Sequence, residues 1–317
     1  MERGIKQWVV QLGLRSYLNL LVLCVVAYYL VSQIVINWSQ LRHYDYHQDP
    51  VYAFLSFVCL LIYFGVVAWT WNDILSAFQG KISLWQAFRI ISLSQLEKYI
   101  PGGFWSLVEQ VHLGSRIGVS KDALLRSSIL HLLFTLLTGL EIFLYWASFS
   151  VSEGGRWIFA GLLGLVMLFS LTPFCLNWLF DCFLKFLLGR DILNSSPHWN
   201  FSKTIRLHLI FICCWLWLGL AVWLFINSLI PLSTRLYLDA LSAFSISWCM
   251  GVLNFITPAG MGTREAGFVF FLKDFLPSSE ALVVALGARL WVTFAELACA
   301  AAAWKADGLA RKKSSPP

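Results

Sequence analysis

The sequence predicts an all-α polytopic membrane protein with about six full transmembrane helices and two re-entrant broken hairpins arranged as an inverted repeat. Three observations predict this fold class. The 317-residue chain is 59% hydrophobic and only 13% charged, whereas a soluble domain is about half apolar and about a quarter charged. Apolar runs of about 20 residues, the length that crosses a bilayer, recur along the chain. Two further apolar runs are interrupted by proline and glycine.

Six segments are long and apolar enough to cross the hydrocarbon as single helices. In chain order they cover residues 17–36, 52–71, 124–150, 157–180, 207–230 and 281–304. The first follows three basic residues, as a signal peptide would, but its apolar core is too long for one. We therefore expect a first span there, and no soluble domain at either end.

Two segments, residues 82–118 and 238–276, are apolar runs with a break in the middle. The glycines and prolines that break them are Pro101, Gly102, Gly103, Pro258, Gly260 and Gly262. Proline removes a backbone donor and glycine weakens a helix, so a continuous helix across either break is unfavourable. A helix, a turn and a helix that returns to the same face is tolerated where protein or water satisfies the freed backbone groups. Each segment therefore predicts a re-entrant hairpin.

The order of elements predicts two halves, residues 17–150 and 157–304, within a single membrane domain. Each half contains a span, a second span, a broken hairpin and a third span. Pro258 follows Pro101 by 157 residues, and this spacing also relates the second spans of the two halves. Three crossings per half is an odd number, so the second half is expected to be inverted relative to the first.

The distribution of positive charge predicts that both termini are cytoplasmic. With the N-terminus inside, each inside segment carries two or more lysines or arginines, whereas each outside segment carries one. This bias follows the positive-inside rule. Eight full spans would also keep both termini inside, but they would drive the breaks and their charges through lipid.

Ionisable residues cluster at the two breaks and on the helices that follow them. Such groups are costly at bilayer depth, so they normally pair or face a cavity. Freed helix N-termini and arginines bind phosphate groups, which points to an anionic substrate. The candidate substrate-binding residues are Glu97, Lys98, Glu109, His131, Arg264, Glu265, Arg289 and Glu296.

Purely structural roles are the alternative for the same residues. Arg264 and Glu265 are adjacent, so on a helix they do not face each other, and each could pair elsewhere to neutralise its burial. Lys98 could extend to an interface. His131 could be a satisfied core residue, and the glycines could serve the turns alone.

Motifs for catalysis and cofactor binding are absent from the sequence. It contains no HExxH, Walker or GxSxG motif, and its eight cysteines show no metal-ligand spacing. The net charge of +6 lies in short loops and tails rather than in a nucleic-acid-binding patch. We therefore expect no catalytic residues, no metal, no cofactor and no nucleic-acid partner.

Three stretches carry a resemblance to a known family. They are "KYIPGGFW" at 98–105, "RIGVS" at 116–120 and "PAGMGTREAGF" at 258–268, with Ala288-Arg289-Leu290 in the final span. Together they resemble the lysylphosphatidylglycerol synthase transmembrane-region family, flippase-like membrane domains that occur alone or fused to an aminoacyl-transferase. Ala259 and Met261 depart from its pattern in a minor way.

The resemblance implies translocation of a lipid or glycolipid, often by a homodimer, in the cytoplasmic membrane of a prokaryote. It places the second break, with Arg264 and Glu265, near the lipid-handling cavity. This sequence lacks the aminoacyl-transferase part, so lysylation of lipid is not implied.

Three functions are compatible with the sequence. The first is translocation of a phosphate-bearing lipid or lipid-linked glycan across the membrane, with that lipid as the partner. The second is a membrane-embedded lipid-dependent transferase that uses Glu97, Glu265 or His131 as a base. The third is a non-catalytic membrane partner of a glycosyltransferase. Sites reachable from both faces, as an inverted repeat provides, favour translocation.

Overall fold

The described part of the chain is predominantly helical. A computed structural model describes residues 28, 35, 49–78, 80, 82–99, 105–188, 200–254 and 257–314. Apart from residues 28 and 35, the predicted first span at 17–36 lies outside these residues, and so does the first break, Pro101, Gly102 and Gly103. The predicted all-α class is confirmed, because no strand occurs within the described ranges.

Ten α-helices follow one another in this part of the chain. They are α1 (Pro50–Ala77), α2 (Leu84–Ser94), α3 (Trp105–Ser115), α4 (Lys121–Ser150), α5 (Glu153–Leu171), α6 (Pro173–Leu188), α7 (Phe201–Leu229), α8 (Tyr237–Leu253), α9 (Thr263–Leu272) and α10 (Ser278–Ser314). Short 3-10 turns occur at Gln95–Tyr99, Thr234–Leu236 and Pro258–Gly260.

Six of the described helical segments are long and apolar enough to cross a membrane. Five of them, in α1, α4, α5, α7 and α10, correspond to predicted spans. The protein is therefore a multi-pass membrane protein. The sixth covers Thr234–Leu253 and falls within the predicted second hairpin.

The predicted span at 157–180 is wrong as a single helix. Helix α5 ends at Leu171, and α6 begins at Pro173. Thr172 is extended, with ψ of 122°, because the ring of a following proline disfavours helical backbone at the preceding residue. The segment is therefore two helices joined at an extended residue.

The helices on either side of each break pack against each other. Helix α2 contacts α3, and α8 contacts α9. Helices α2, α3 and α9 have 10 or 11 residues, so each is only about 15 Å long, half of the hydrocarbon thickness. Helix α8 with its preceding turn is long enough to cross. Re-entry and the inverted repeat therefore remain predictions.

The largest buried cluster joins α1, α7, α8, α9 and α10. At one end of α1, the side chain of Asp49 accepts hydrogen bonds from the first-turn amides of Val51 and Tyr52, and Pro50 needs no such partner. At the other end, Asp73 pairs with Arg206 in the second turn of α7 at 3.3 Å. These contacts fix α1 and α7 side by side, and α10 packs on both.

Candidate functional site

The break between α8 and α9 is a turn in which several residues adopt left-handed backbone. Ala259, Gly260 and Gly262 have φ of 50°, 66° and 84°. The Asn254 amide closes the turn by donating to Thr257 Oγ1 at 3.0 Å and to the hydroxyl of Thr263. Left-handed φ costs glycine little, which is why glycine serves at two of the three positions.

Gly260 has a second requirement, which is space. Its Cα lies against the backbone of Gly251 in α8, so that a Cβ built at Gly260 would be 2.5 Å from the Gly251 Cα. The turn therefore crosses α8 at a point where both contacting residues, Gly260 and Gly251, lack a side chain. This contact holds the start of α9 against α8.

Glu265 and Arg264 occupy the first turn of α9 and diverge from each other. Glu265 Oε2 accepts the backbone N–H of Gly262 at 2.6 Å, a favourable place for a carboxylate because a helix N-terminus carries partial positive charge. The guanidinium carbon of Arg264 lies 5.0 Å from the centre of the Phe244 ring in α8, a cation–π distance.

Arg289 in α10 faces Glu265 and is incompletely paired. Its Nε lies 3.5 Å from Glu265 Oε1, longer than a normal hydrogen bond. Arg289 is only 4% exposed, and its two terminal nitrogens have no hydrogen-bond partner among the described residues. Glu265 Oε1 likewise accepts no hydrogen bond there. Donors left without acceptors in this way are costly in a buried site.

A second ion pair adjoins Arg289 on the same face of α10. Glu296 is bonded to the ammonium of Lys98 and accepts the Tyr99 hydroxyl at 3.0 Å. Tyr99 also contacts Thr293 Oγ1 at 3.1 Å. Arg289, Thr293 and Glu296 share a face because they are spaced by four and three residues on a helix.

The Tyr99 ring connects the two ion pairs. The guanidinium carbon of Arg289 and the ammonium of Lys98 each lie 5.4 Å from its centre. Tyr99 belongs to the 3-10 turn that leads into the first break, whereas Arg289 belongs to the helix after the second. The site therefore joins the regions of both breaks.

A small cavity lies between α8, α9 and α10, and Arg289 is one of the residues that line it. Its volume is about 10 Å³, which is about the room that one water molecule needs. Both arginines and a carboxylate line it together with aromatic and small side chains. The lining residues are Phe244, Ser247, Arg264, Glu265, Phe268, Ala285, Ala288 and Arg289.

Five of the eight predicted site residues come together here. Lys98, Arg264, Glu265, Arg289 and Glu296 form the cavity wall and the adjoining ion pair. They carry three positive and two negative formal charges. An unbalanced buried charge is costly, so this site is electrostatically suited to one more anion.

The other three candidates lie apart from the cavity wall. His131 contacts Thr70 Oγ1 at 3.0 Å and the Phe211 ring, and it lines a different cavity of about 10 Å³ between α1, α4 and α7. Glu97 and Glu109 are half-buried in the 3-10 turn before the first break and in α3. Their binding roles stay predictions.

Sequence analysis missed Tyr99, Thr293 and Phe244. Thr293 had a detectable signal, since it lies on the helical face that Arg289 and Glu296 define. Tyr99 directly follows Lys98, but one residue among many aromatics carries no such signal. Phe244 is revealed only when α8 and α9 pack. Within the described residues, no three His, Cys, Asp or Glu side chains lie together as a metal site requires.

Comparison with known proteins identifies the family. The Lysylphosphatidylglycerol synthase TM region matches residues 16–299. Neither a curated protein nor a solved structure matched the chain. The match covers both breaks, the cavity and the adjoining ion pair. This multi-pass membrane protein therefore belongs to the Lysylphosphatidylglycerol synthase TM region family, whose name indicates a lipid-related role.

Proposed function

We propose that the protein moves a phosphate-bearing lipid or lipid-linked glycan between the two leaflets and holds the headgroup at Arg264 and Arg289. The protein would act as a transporter rather than as an enzyme. The observation that carries this proposal is the pair of buried terminal nitrogens on Arg289 that have no acceptor among the described residues. A guanidinium offers a planar fork of donors that matches two phosphate oxygens.

The surrounding groups support an anionic ligand. Arg264 lines the same cavity from α9, opposite α10, so that a phosphate could be bound between two cations. The N-terminus of α9 adds partial positive charge at the same place. The surplus of one positive charge across the site would be neutralised by a singly charged headgroup.

Glu265 competes with a bound headgroup for Arg289. Its long contact of 3.5 Å with Nε leaves the terminal nitrogens available. A phosphate on those nitrogens would repel the carboxylate, and Glu265 would keep its bond to the Gly262 amide. Arg289 would thus exchange between Glu265 and the headgroup. The headgroup would be bound and released, and the positive charge of Arg289 would have an anionic partner in both states.

Helix movement must accompany headgroup binding. A cavity of about 10 Å³ holds one water molecule but not a phosphate group. The turn at 257–262 is the natural place for this movement, because it contains glycines and no α-helix. A small rotation of α9 about this turn would separate Arg264 from Arg289 and enlarge the cavity.

The described contacts relate the start of α4 to the start of α7. Arg206 pairs with Asp73 near the end of α1, and Leu75 shares a buried cluster with Leu124 in the first turn of α4. The starts of α4 and α7 are thus on one side of the protein. We propose that this side is cytoplasmic, by the positive-inside rule, in a prokaryotic cell membrane.

The experiment is leaflet exchange in proteoliposomes. Fluorescent phospholipids with anionic or zwitterionic headgroups, and a polyprenyl-phosphate analogue, are each tested with purified protein. We expect at least one phosphate-bearing lipid to exchange faster than in protein-free vesicles. We expect Arg289→Gln to remove most of that acceleration, because it removes the guanidinium that binds the headgroup.

Arg206→Gln is the matched control, since it neutralises an arginine whose side chain is 55% exposed and lies outside the site. It should leave exchange unchanged. Exchange no faster than in empty vesicles for every lipid, or equal exchange in both variants, would contradict the proposal. The two alternatives, a lipid-dependent transferase and a non-catalytic partner of a glycosyltransferase, would then be tested.

A further inference from the structure

A second buried polar cluster lies where α4, α5 and α7 meet. Glu141 of α4, Ser170 of α5 and His208 of α7 are each 4% exposed or less. The Ser170 hydroxyl donates to Glu141 Oε1 at 2.5 Å, and His208 Nε2 lies 3.3 Å from Glu141 Oε2. None of the three lines the cavity beside Arg289, so the lipid proposal gives this cluster no role.

The contact between Glu141 and His208 indicates which imidazole nitrogen carries the hydrogen. A carboxylate only accepts hydrogen bonds, so the nitrogen that faces it, Nε2, carries the hydrogen. In the neutral ring the other nitrogen, Nδ1, is then an acceptor. His208 Nδ1 is buried and has no hydrogen-bond partner among the described residues. The lone pair of Nδ1 is therefore available to accept a proton, and the other nitrogen of the same ring faces the Glu141 carboxylate.

We propose that His208 and Glu141 form a proton-binding site within the membrane domain. A hydronium ion transfers its proton to His208 Nδ1: one O–H bond breaks, an N–H bond forms at Nδ1 and a water molecule is left, while no other covalent bond changes. The imidazolium that results is paired with the Glu141 carboxylate. When the proton leaves, the ring is neutral again, and the carboxylate keeps its hydrogen bond from Ser170 and its contact with Nε2.

The carboxylate is what makes this site suitable for a proton. A lone carboxylate at bilayer depth is costly, and such residues normally pair with another group or belong to a proton or ion pathway. Glu141 has no polar partner among the described residues besides Ser170 and His208. A bound proton would therefore balance its charge locally.

Charged groups on the surrounding helices have other positions or other partners. Asp239 of α8 accepts from Trp146, Asp73 of α1 pairs with Arg206, and Asp122 pairs with Arg126 in the first turns of α4. The other such residues that the structure describes on the packed helices are Lys121 and His131 of α4, Glu153 and Arg156 in the first turn of α5, Asp181 and Lys185 of α6, Glu109 and His112 of α3, Lys203 of α7, and Glu280, Arg289, Glu296 and Lys305 of α10.

The same site also attaches α5 to α4, through the hydrogen bond between Ser170 and Glu141. Ser170 is the one buried residue of α5, and its side chain is bonded to Glu141. Proton binding at His208 would draw the carboxylate toward α7 and change its hold on α5. This inference goes beyond lipid movement and does not rest on it.

Solid-state NMR of histidine-¹⁵N-labelled protein in lipid bilayers tests the proposal. Neutral and protonated imidazole nitrogens give distinct signals, and His208 is assigned through backbone correlations with Leu207. We expect the His208 signal to change from neutral to imidazolium as the pH is lowered. In Glu141→Gln we expect it to stay neutral at pH values where unaltered His208 is protonated.

Ser170→Ala is the matched variant, because it removes a neighbour of Glu141 but keeps both ionisable groups, and His208 should still take a proton. A His208 signal that stays neutral wherever the protein is folded would overturn the proposal. So would identical titration in Glu141→Gln. The unaltered protein alone gives a decisive result if a variant does not fold, and the readout is independent of lipid exchange.

Discussion

The ammonium group of Lys98 is bonded to the carboxylate of Glu296, although 198 residues separate them in the chain. Lys98 lies in the turn that enters the first break, and Glu296 lies in α10. Through Tyr99 this pair adjoins Arg289 and the cavity. The pair therefore affects both the stability of the fold and the charge of the site.

Removal of Lys98 should destabilise the protein because it leaves Glu296 buried without a counter-ion. We expect Lys98→Met to lower the free energy of unfolding by about 3 kcal/mol, measured by thermal unfolding in detergent. Lys98→Met with Glu296→Met should recover most of this loss, because the unpaired charge is gone. Arg206→Met, which breaks a partly exposed pair, should cost less than about 1 kcal/mol. Equal losses in the single and double variants would argue against the pairing.

The hydroxyl of Tyr99 should contribute separately from its ring. Tyr99→Phe removes the bonds to Thr293 and Glu296 but keeps the ring between Lys98 and Arg289. We expect a loss of about 1 to 3 kcal/mol in unfolding free energy, as for other buried hydrogen bonds. Tyr99→Leu should lose more, since the cation–π contacts go as well. The same stability for the two variants would mean that the ring contributes nothing.

Gly260 should be intolerant of a side chain. Gly260→Ala places a methyl group against the backbone of Gly251 and forces alanine into left-handed backbone. We expect a large fall in the folded yield and in the unfolding temperature. Gly65→Ala is the control, because Gly65 is helical with nothing within 4 Å of an added Cβ. That change should be neutral or stabilise by about 0.5 to 1 kcal/mol. Similar behaviour of the two variants would refute the close approach.

Glu265 should govern headgroup release. Glu265→Gln removes the anion that competes for Arg289, so we expect an anionic lipid to bind about tenfold more tightly, which corresponds to about 1.4 kcal/mol. Leaflet exchange should slow at the same time, because release is slower. Binding is measured with a fluorescent lipid in detergent, and exchange is measured in proteoliposomes. Glu265→Asp keeps the charge and should retain more exchange. Weaker lipid binding by Glu265→Gln would contradict the competition.

The depth of the second break can be tested by thiol labelling. In a background without native cysteines, Thr257→Cys marks the break and Arg235→Cys marks the loop before α8. If the hairpin is re-entrant, we expect an impermeant reagent to label both from the same face of the membrane. Arg206→Cys should be labelled from the opposite face. Labelling of Thr257→Cys together with Arg206→Cys would favour an α8 that crosses completely.

Features encoded in local sequence could be predicted. The spans follow from runs of apolar residues, and the break near Gly260 follows from the proline and glycines themselves. Arg264, Glu265 and Arg289 were identified because few charged residues occur in apolar sequence, and their convergence is seen in the structure. The break at Pro173 was overlooked because the apolar run continues through it, although the proline itself was visible.

Features that depend on packing could not be predicted. The sequence groups His131 with Glu141 on one helix, yet His131 contacts Thr70 while Glu141 contacts His208. Partners on α1 and α7 decide this, and helical periodicity contains no information about which helices become neighbours. The place of Phe244 under Arg264 depends in the same way on how α8 meets α9.

The long separation between Lys98 and Glu296 has a consequence for biogenesis. A membrane protein is inserted as it is synthesised, so the turn with Lys98 leaves the ribosome long before α10 does. Until then Lys98 lacks Glu296, and Tyr99 lacks both Glu296 and Arg289. The early intermediate must shelter these polar groups in water or at the lipid headgroups. Insertion of α10 is therefore the step that completes the charged site, and truncation before Arg289 would leave an inserted protein without one.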